Sequence, residues 1–247
     1  MKKTKISIKN YWNWRSRSFG CDIDKSAEVV NRWGIILNDI VSGASGKRAL
    51  DIGTGTGQFA LYLAGSGFVV TGIDLAENMI SHAKQNAGRH KLDIDFQIGD
   101  AERLEFEDNT FDVLVSRNLL WTLPNPQKAI FEWRRVMKPG AILVVCDGLW
   151  MNYTWKRIHY FVADSFKTIF GNRSMISARF FLCYSSLCKS LPFYEGISFD
   201  EVSMLLQAAC FKDINSYDTS CFGVNPYLSS KKIKNREPLF FIAYAKR

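Results

Sequence analysis

The sequence contains no run of about 18 apolar residues, so nothing in it reads as a membrane-crossing helix. Its start, Met1-Lys2-Lys3-Thr4-Lys5, is basic, but Ile6–Trp14 is mixed and polar. The apolar stretch of about 7–15 residues that marks a secretory signal does not follow, and none is expected. There is no C-x-x-C pair. The six cysteines (Cys21, Cys146, Cys183, Cys188, Cys210 and Cys221) are scattered, read as reduced and mostly buried, and suggest a cytoplasmic protein. Histidine is scarce: His82, His90 and His159 have no ligand spacing to any cysteine, so no metal site is expected. Internal repeats, low-complexity tracts and blocks of five consecutive basic residues are also missing.

What the 247 residues do contain is an ordinary globular composition, 47% hydrophobic and 23% charged, enough for one sizeable domain with an added lid. The net charge of +8 is unevenly spread. Residues 1–50 carry ten Lys/Arg against four Asp/Glu, residues 51–150 nine against thirteen, and residues 151–247 thirteen against seven. An acidic middle between basic flanks reads either as solvated surface or as attraction for an anionic acceptor, an anionic membrane surface or nucleic acid. The densest cluster, Lys231-Lys232-Ile233-Lys234-Asn235-Arg236, reads as a loop before the last strand.

Periodicity gives the order of elements. A helix over Ser26–Val41, with Ser26 as N-cap, precedes a strand at Lys47–Ile52. Then come a helix at Gln58–Ala64, a strand at Phe68–Ile73, a helix at Ala76–Asn86 and strands at Asp93–Ile98 and Phe111–Ser116. Asn125 caps a helix over Pro126–Met137, Lys138-Pro139-Gly140 stops it, and Ala141–Cys146 is a fifth, almost wholly apolar strand. Strands alternating with helices predict a parallel sheet covered on both faces, with its ligand at the carboxyl ends of the strands. The stretch 151–196 breaks this order with two aromatic-rich helical segments, Tyr153–Phe170 and Ile176–Cys188. A capping box, Ser198-Phe199-Asp200-Glu201, then opens a helix through Ala209, followed by strands at Ile214–Thr219 and Leu239–Tyr244.

The segment Ala49-Leu50-Asp51-Ile52-Gly53-Thr54-Gly55-Thr56-Gly57-Gln58 carries the most chemistry. Glycines at alternate positions let the chain turn sharply and let a ligand approach the main chain. A dinucleotide fingerprint would need a glycine at position 58, which is Gln58. A carboxylate two residues before the first glycine would serve a pyrophosphate poorly and a ligand bearing an ammonium or sulfonium well. This segment resembles motif I of the class I S-adenosylmethionine-dependent methyltransferases.

Further segments extend the resemblance in order over residues 45–146. They are Val70-Thr71-Gly72-Ile73-Asp74, Gly99-Asp100-Ala101-Glu102 and Phe111-Asp112-Val113-Leu114-Val115-Ser116-Arg117-Asn118. Arg134-Arg135-Val136-Met137-Lys138-Pro139-Gly140-Ala141 is similar to the Arg-Val-Leu-Lys-Pro-Gly-Gly segment of the type 11 (ubiquinone/menaquinone-biosynthesis-like) small-molecule methyltransferases. Met137 and Ala141 depart mildly from that pattern. The start Tyr11-Trp12-Asn13-Trp14-Arg15-Ser16 resembles the Tyr-Trp-x-x-Arg-Ser opening of some members, where the N-terminal segment folds over the cofactor.

The resemblance implies a Rossmann-like doubly wound sheet of seven strands, mostly parallel with the last antiparallel, and a helical lid inserted after strand 5. It divides the chain into a cofactor-covering segment (1–25), a core (26–150), an acceptor lid (151–196) and the C-terminal part of the sheet (197–247). It implies S-adenosylmethionine as cofactor, with S-adenosylhomocysteine as product. Asp51, Gly53, Thr54, Gly55 and Gly57 would form the glycine loop, and Asp74 would accept from the ribose hydroxyls with Leu75 and Met79 beyond it. Asp100, Ala101 and Glu102 would hold the adenine, Asp100 at its exocyclic amine. Arg117 and Asn118 would face the methionine part, Arg15 pairing with its carboxylate and Tyr11 adding a hydrogen bond. The alternative for the N-terminus is a terminal helix pinned by Trp12 and Phe19.

The implied reaction is methyl transfer by in-line displacement, driven by placing the nucleophile about 3–3.5 Å from the methyl carbon and excluding water. A base is needed only if the acceptor must lose a proton, and Asp147, His159, Tyr153 and Tyr160 are candidates without a choice among them. Lys156, Arg157, Lys167, Arg173, Arg179 and Lys189 beside the lid aromatics suit a medium-sized, partly hydrophobic, anionic small molecule. Peripheral contact with a membrane is a further option. The rival readings are a nucleic-acid or protein methyltransferase and a non-catalytic cofactor-binding protein. The Asp/Asn-Pro-Pro-Tyr/Phe motif of amino-methylating nucleic-acid enzymes is missing where Ser116-Arg117-Asn118-Leu119-Leu120-Trp121 stands.

Overall fold

The structure is a computed structural model that describes residues 2–18, 27–149, 183–184, 186–220 and 240–247, with backbone alone for 18 and 27–31. Its helices are α1 (Lys2–Arg15), α2 (Ala27–Val41), α3 (Gln58–Gly65), α4 (Glu77–His90), α5 (Pro126–Val136) and α6 (Phe199–Ala208). Its strands are β1 (Arg48–Ile52), β2 (Val69–Asp74), β3 (Asp95–Ile98), β4 (Phe111–Arg117), β5 (Met137–Gly148), β6 (Lys212–Ser216) and β7 (Phe240–Lys246).

The seven strands lie in the order β3-β2-β1-β4-β5-β7-β6. The β1–β2, β1–β4, β2–β3 and β4–β5 pairs are parallel, and β7 runs antiparallel to both neighbours. The last strand is therefore antiparallel, as expected. The order reverses between β1 and β4, and this switch point opens a crevice at the strands' carboxyl ends.

Side-chain alternation explains why both faces are covered. Leu50, Ile52, Leu114, Leu143 and Val145 point to one side, where Ile130 and Trp133 of α5 and Val202 and Leu206 of α6 close over them. Ala49, Val113, Val115, Ile142 and Val144 point to the other, against Trp33 and Leu37 of α2, Phe59 and Leu63 of α3 and Ile80 of α4. Strands apolar on both faces belong to a sandwiched parallel sheet.

Local signals act as read. Asn125 Oδ1 accepts from the Lys128 amide at 2.9 Å, and Pro126 opens α5. Ser198 and Glu201 form a reciprocal capping box. Some boundaries differ. Helix α5 ends before Lys138-Pro139-Gly140 as read, but β5 begins earlier than expected, at Met137, and runs to Gly148. Strand β6 lies earlier than expected, at Lys212–Ser216, because pairing with β7 decides its span, and the Tyr217 amide makes a last bond to the Ile242 carbonyl at 2.8 Å. The Ser26 cap, the helix at 153–170, most of the segment at 176–188 and the basic cluster at 231–236 lie outside the described residues. So do Cys21, Cys221, Phe19, Tyr153, His159 and Tyr160. No helix among the described residues is long and apolar enough to cross a membrane.

Candidate active site

A cavity of about 130 Å³ opens at the switch point. Four strand ends supply its floor: Asp51 and Gly53 to Thr56 at the end of β1, Asp74 and Leu75 at the end of β2, Gly99 to Ala101 after β3, and Arg117 to Leu119 at the end of β4. Helix α1 lies over it with Lys5, Ile8 and Trp12, and Met79 of α4 and Gln58 and Phe59 of α3 complete the wall.

Gly53, Gly55 and Gly57 all have left-handed φ values, 69°, 56° and 89°. A Cβ on Gly55 would meet nothing within 4 Å, so the backbone itself faces the open cavity. A Cβ on Gly57 would lie 3.0 Å from the Phe96 ring and 3.2 Å from Ala83, so this glycine serves packing against α4 and does not line the cavity.

Asp51 is 2% exposed. Its Oδ2 accepts from Thr54 Oγ1 at 2.7 Å and from the Ala60 amide at 3.0 Å, which locks the glycine loop onto the start of α3. Burial pushes its pKa up to about 6 against the pull of those two donors and the Arg117 charge. Asp74 Oδ2 accepts from the Gly55 amide at 3.0 Å and Oδ1 from the Ala76 amide at 2.8 Å. Enclosure raises this carboxyl to about 6 as well, against the pull of the Ala76, Gly55 and Leu75 amides.

Asp100 is held by Lys5, whose Nζ donates to Oδ1 at 2.9 Å and Oδ2 at 2.6 Å. The same ammonium lies 2.7 Å from Glu102 Oε2. Burial works against the Lys5 charge, and its hydrogen bonds to the two acids outweigh this, leaving the pKa raised. Glu102 does not line the cavity. It is 1% exposed, and its Oε1 accepts from the Asn125 amide at 2.7 Å, so it braces the loop to α5. Ala101 lines the cavity and its carbonyl accepts from Trp133 Nε1 at 3.0 Å. Arg135 donates to the carbonyls of Leu104 and Phe106, clasping the rest of that loop.

At the other end, the Arg117 guanidinium lies 5.0 Å from the Phe59 ring and 5.8 Å from the Trp33 ring. Asn118 has a left-handed φ of 55° and its amide donates to the Cys146 carbonyl at 2.8 Å. Both line the cavity. Among the described residues, two enclosed oxygens here find no donor: Asn118 Oδ1 and Gln58 Oε1. The Gln58 amide donates to Tyr62 Oη at 3.1 Å.

Tyr11 and Arg15 do not line the cavity: Tyr11 is turned about 100° away from Trp12 around the helix, and Arg15, although on the face of residues 5, 8 and 12, is hydrogen-bonded to Tyr11. Tyr11 packs edge-on to Tyr184 at 5.0 Å and to Trp12 at 5.3 Å, with Arg15 hydrogen-bonded to it. Burial lifts its hydroxyl pKa to about 12. Helix α1 thus sets Lys5, Ile8 and Trp12 at the cavity while Tyr11 packs against Tyr184. Asp147, a candidate base, is 1% exposed and accepts from the Leu120 amide at 3.1 Å and the Gly148 amide at 2.9 Å, away from the cavity lining. Asp112 sits at the opposite end of β4, where it accepts from the Arg48 amide and Lys138. Lys5, Trp12, Gln58 and Phe59 are cavity residues that the sequence reading missed. The helical spacing of 5, 8 and 12 was the available signal for the first two.

The family described as a methyltransferase domain matches residues 50–145, from β1 into β5. The demethylmenaquinone methyltransferase of Renibacterium salmoninarum is 38% identical over 118 residues, 48% of this chain and 48% of that protein. The ubiquinone biosynthesis O-methyltransferase of Coxiella burnetii is 38% identical over 98 residues, 40% of this chain and 42% of that protein. A SAM-dependent methyltransferase from Aquifex aeolicus shares the fold, with a TM-score of 0.57 at 19% identity over 91% of this chain and 95% of that one. The fold is thus one shared with S-adenosylmethionine-dependent methyltransferases, and residues 50–145 are similar to the type 11 methyltransferase domain. The chain spans about half the length, or less, of the two curated relatives.

Proposed function

We propose that this chain binds S-adenosylmethionine in the switch-point cavity and transfers its methyl group to a small-molecule acceptor. The observation that carries the reading is the convergence of Asp51, Asp74 and Asp100, from the ends of three adjacent strands, on one cavity. The donor set fits the cofactor from end to end. Asp100, Ala101 and Gly99 form a polar rim suited to an adenine, and Asp74 suits a ribose. The unpaired oxygens of Gln58 and Asn118 beside Asp51 suit an ammonium, because an acceptor-only corner is completed by N–H donors.

S-adenosylmethionine supplies, when bound, a methyl group already activated on a sulfonium. What remains for the protein is to bind, orient and dry the site. Asp51 is held by Thr54 and Ala60 and Asp74 by Gly55 and Ala76, so neither must reorganise to meet a cation. Ile8, Trp12, Phe59, Leu119 and Leu123 give the cavity apolar walls that keep water out. No general base is assigned.

The quinone-biosynthesis names of the relatives support a small, partly hydrophobic acceptor, and the basic flanks support an anionic one. The free thiols of Cys146 and Cys210 support a cytoplasmic setting. The roles given to the site residues and the division into segments 1–25, 26–150, 151–196 and 197–247 are part of this proposal. The test is label transfer: protein incubated with methyl-labelled S-adenosylmethionine and a small-molecule extract yields a labelled low-mass product. Label appearing only in RNA or protein would overturn the small-molecule reading.

A further inference from the structure

Helix α1 carries contacts at helical spacing. Residues 5, 8 and 12 line the cavity. Residues 5, 9 and 13, four apart along one edge, reach the elements beneath. Lys5 holds Asp100 and Glu102, Lys9 pairs with Glu77 at the start of α4, and Asn13 makes two hydrogen bonds with Asn78, 2.9 and 3.0 Å long. Ile8 and Tyr11 pack with Trp121, Tyr184 and Leu187. The helix is thus a roof whose edge over the nucleoside end is fastened by polar contacts.

The two acids under Lys5 differ. The Glu102 side chain is 2% exposed and already committed to the Asn125 amide, whereas the Asp100 side chain is 33% exposed and lines the cavity. The ammonium therefore has one fixed partner and one exchangeable partner. We propose that Lys5 is a positioning residue that gates nucleoside exchange: it fastens α1 onto Asp100 in the free protein and yields Asp100 to the incoming base amine while staying on Glu102. The inference rests on the cofactor reading above. It requires the Lys5–Asp100 contact to part for a nucleoside to enter under α1, and the Lys5–Glu102 contact that still fastens α1 to part for it to leave, so Lys5 slows both directions.

The test is stopped-flow binding of S-adenosylhomocysteine, followed by tryptophan fluorescence, since Trp12 is in the cavity wall. For Lys5→Met, association and dissociation rate constants are both expected to rise about fivefold, with Kd within about twofold of wild type. Raising NaCl from about 0.1 M to about 1 M shrinks the screening length from about 10 Å to about 3 Å and is expected to accelerate wild type in the same two-sided way. Lys5→Met is expected to lose that salt response and Lys5→Arg to keep it. A rise in dissociation alone, with association unchanged, would make Lys5 an ordinary ligand contact and overturn the gate. Rates in wild type that ignore salt would also overturn it, independently of how any variant folds. No binding of S-adenosylhomocysteine to wild type would overturn the functional reading itself, whereas binding with unaltered rates overturns the gate alone.

Discussion

Asp74 Oδ2 accepts the Gly55 amide at 3.0 Å, tying the end of β2 to the glycine loop after β1. One carboxylate thus shapes the loop and faces the cavity at once. Asp74→Ala is expected to weaken S-adenosylhomocysteine binding by about 1–3 kcal/mol, the cost of losing a charged acceptor and freeing the Gly55 N–H. Titration calorimetry measures it, and unchanged affinity contradicts the role.

Asp51 and Asp74 titrate near 6 in the folded protein, against 3.8 for an ordinary aspartate. Between those values the folded chain holds more protons than the unfolded one, so their contribution to stability falls as pH rises through the window. Above it, two enclosed carboxylates face a cavity, and a cationic ligand relieves them. S-adenosylmethionine is therefore expected to bind more weakly as pH falls below 6, by up to about tenfold per unit for each proton taken up. The thermal shift it produces should be larger at pH 7.5 than at pH 5. A ligand-induced shift that is the same at both values would contradict this.

Gln58→Met keeps the side chain's length and removes the unpaired oxygen. Affinity for S-adenosylhomocysteine is expected to fall by about 0.5–1.5 kcal/mol, while 5′-methylthioadenosine, which lacks the amino-acid tail, should bind as it does to wild type. Equal losses for both ligands would place Gln58 elsewhere than at the ammonium.

Trp133 is fully buried in α5, and its indole donates to the Ala101 carbonyl at 3.0 Å. Trp133→Phe leaves that carbonyl unpaired beside a partly filled space. A stability loss of about 2–4 kcal/mol in urea unfolding is expected, with weakened nucleoside binding, because the loop after β3 loses its anchor.

The carboxylates and the glycine loop were legible because their chemistry is local. Each acid closes a strand whose hydrophobic pattern is readable, and parallel pairing at the observed order brings the tips together. Lys5 was not legible: it meets Asp100 from 95 residues away, on a docked helix whose Tyr-Trp-x-x-Arg-Ser signature begins only at Tyr11. Tyr11 and Trp12 show the same limit on a finer scale. The sequence supplied both aromatics, but a rotation of about 100° between neighbours on a helix decides which one lines the cavity. Asp112 shows the converse, a motif acid that ties the far ends of β1, β4 and β5 together. Glu102 reads as a site residue by position, yet its partners, Lys5 and Asn125, make it a brace.

The central claim is that the switch-point cavity recognises the sulfonium nucleoside. Calorimetry on the full chain with S-adenosylhomocysteine, NAD and 5′-methylthioadenosine in parallel tests it most directly. The account predicts single-site binding of S-adenosylhomocysteine that Asp74→Ala weakens, and no binding of NAD. Uptake of NAD with no measurable heat from S-adenosylhomocysteine would contradict it.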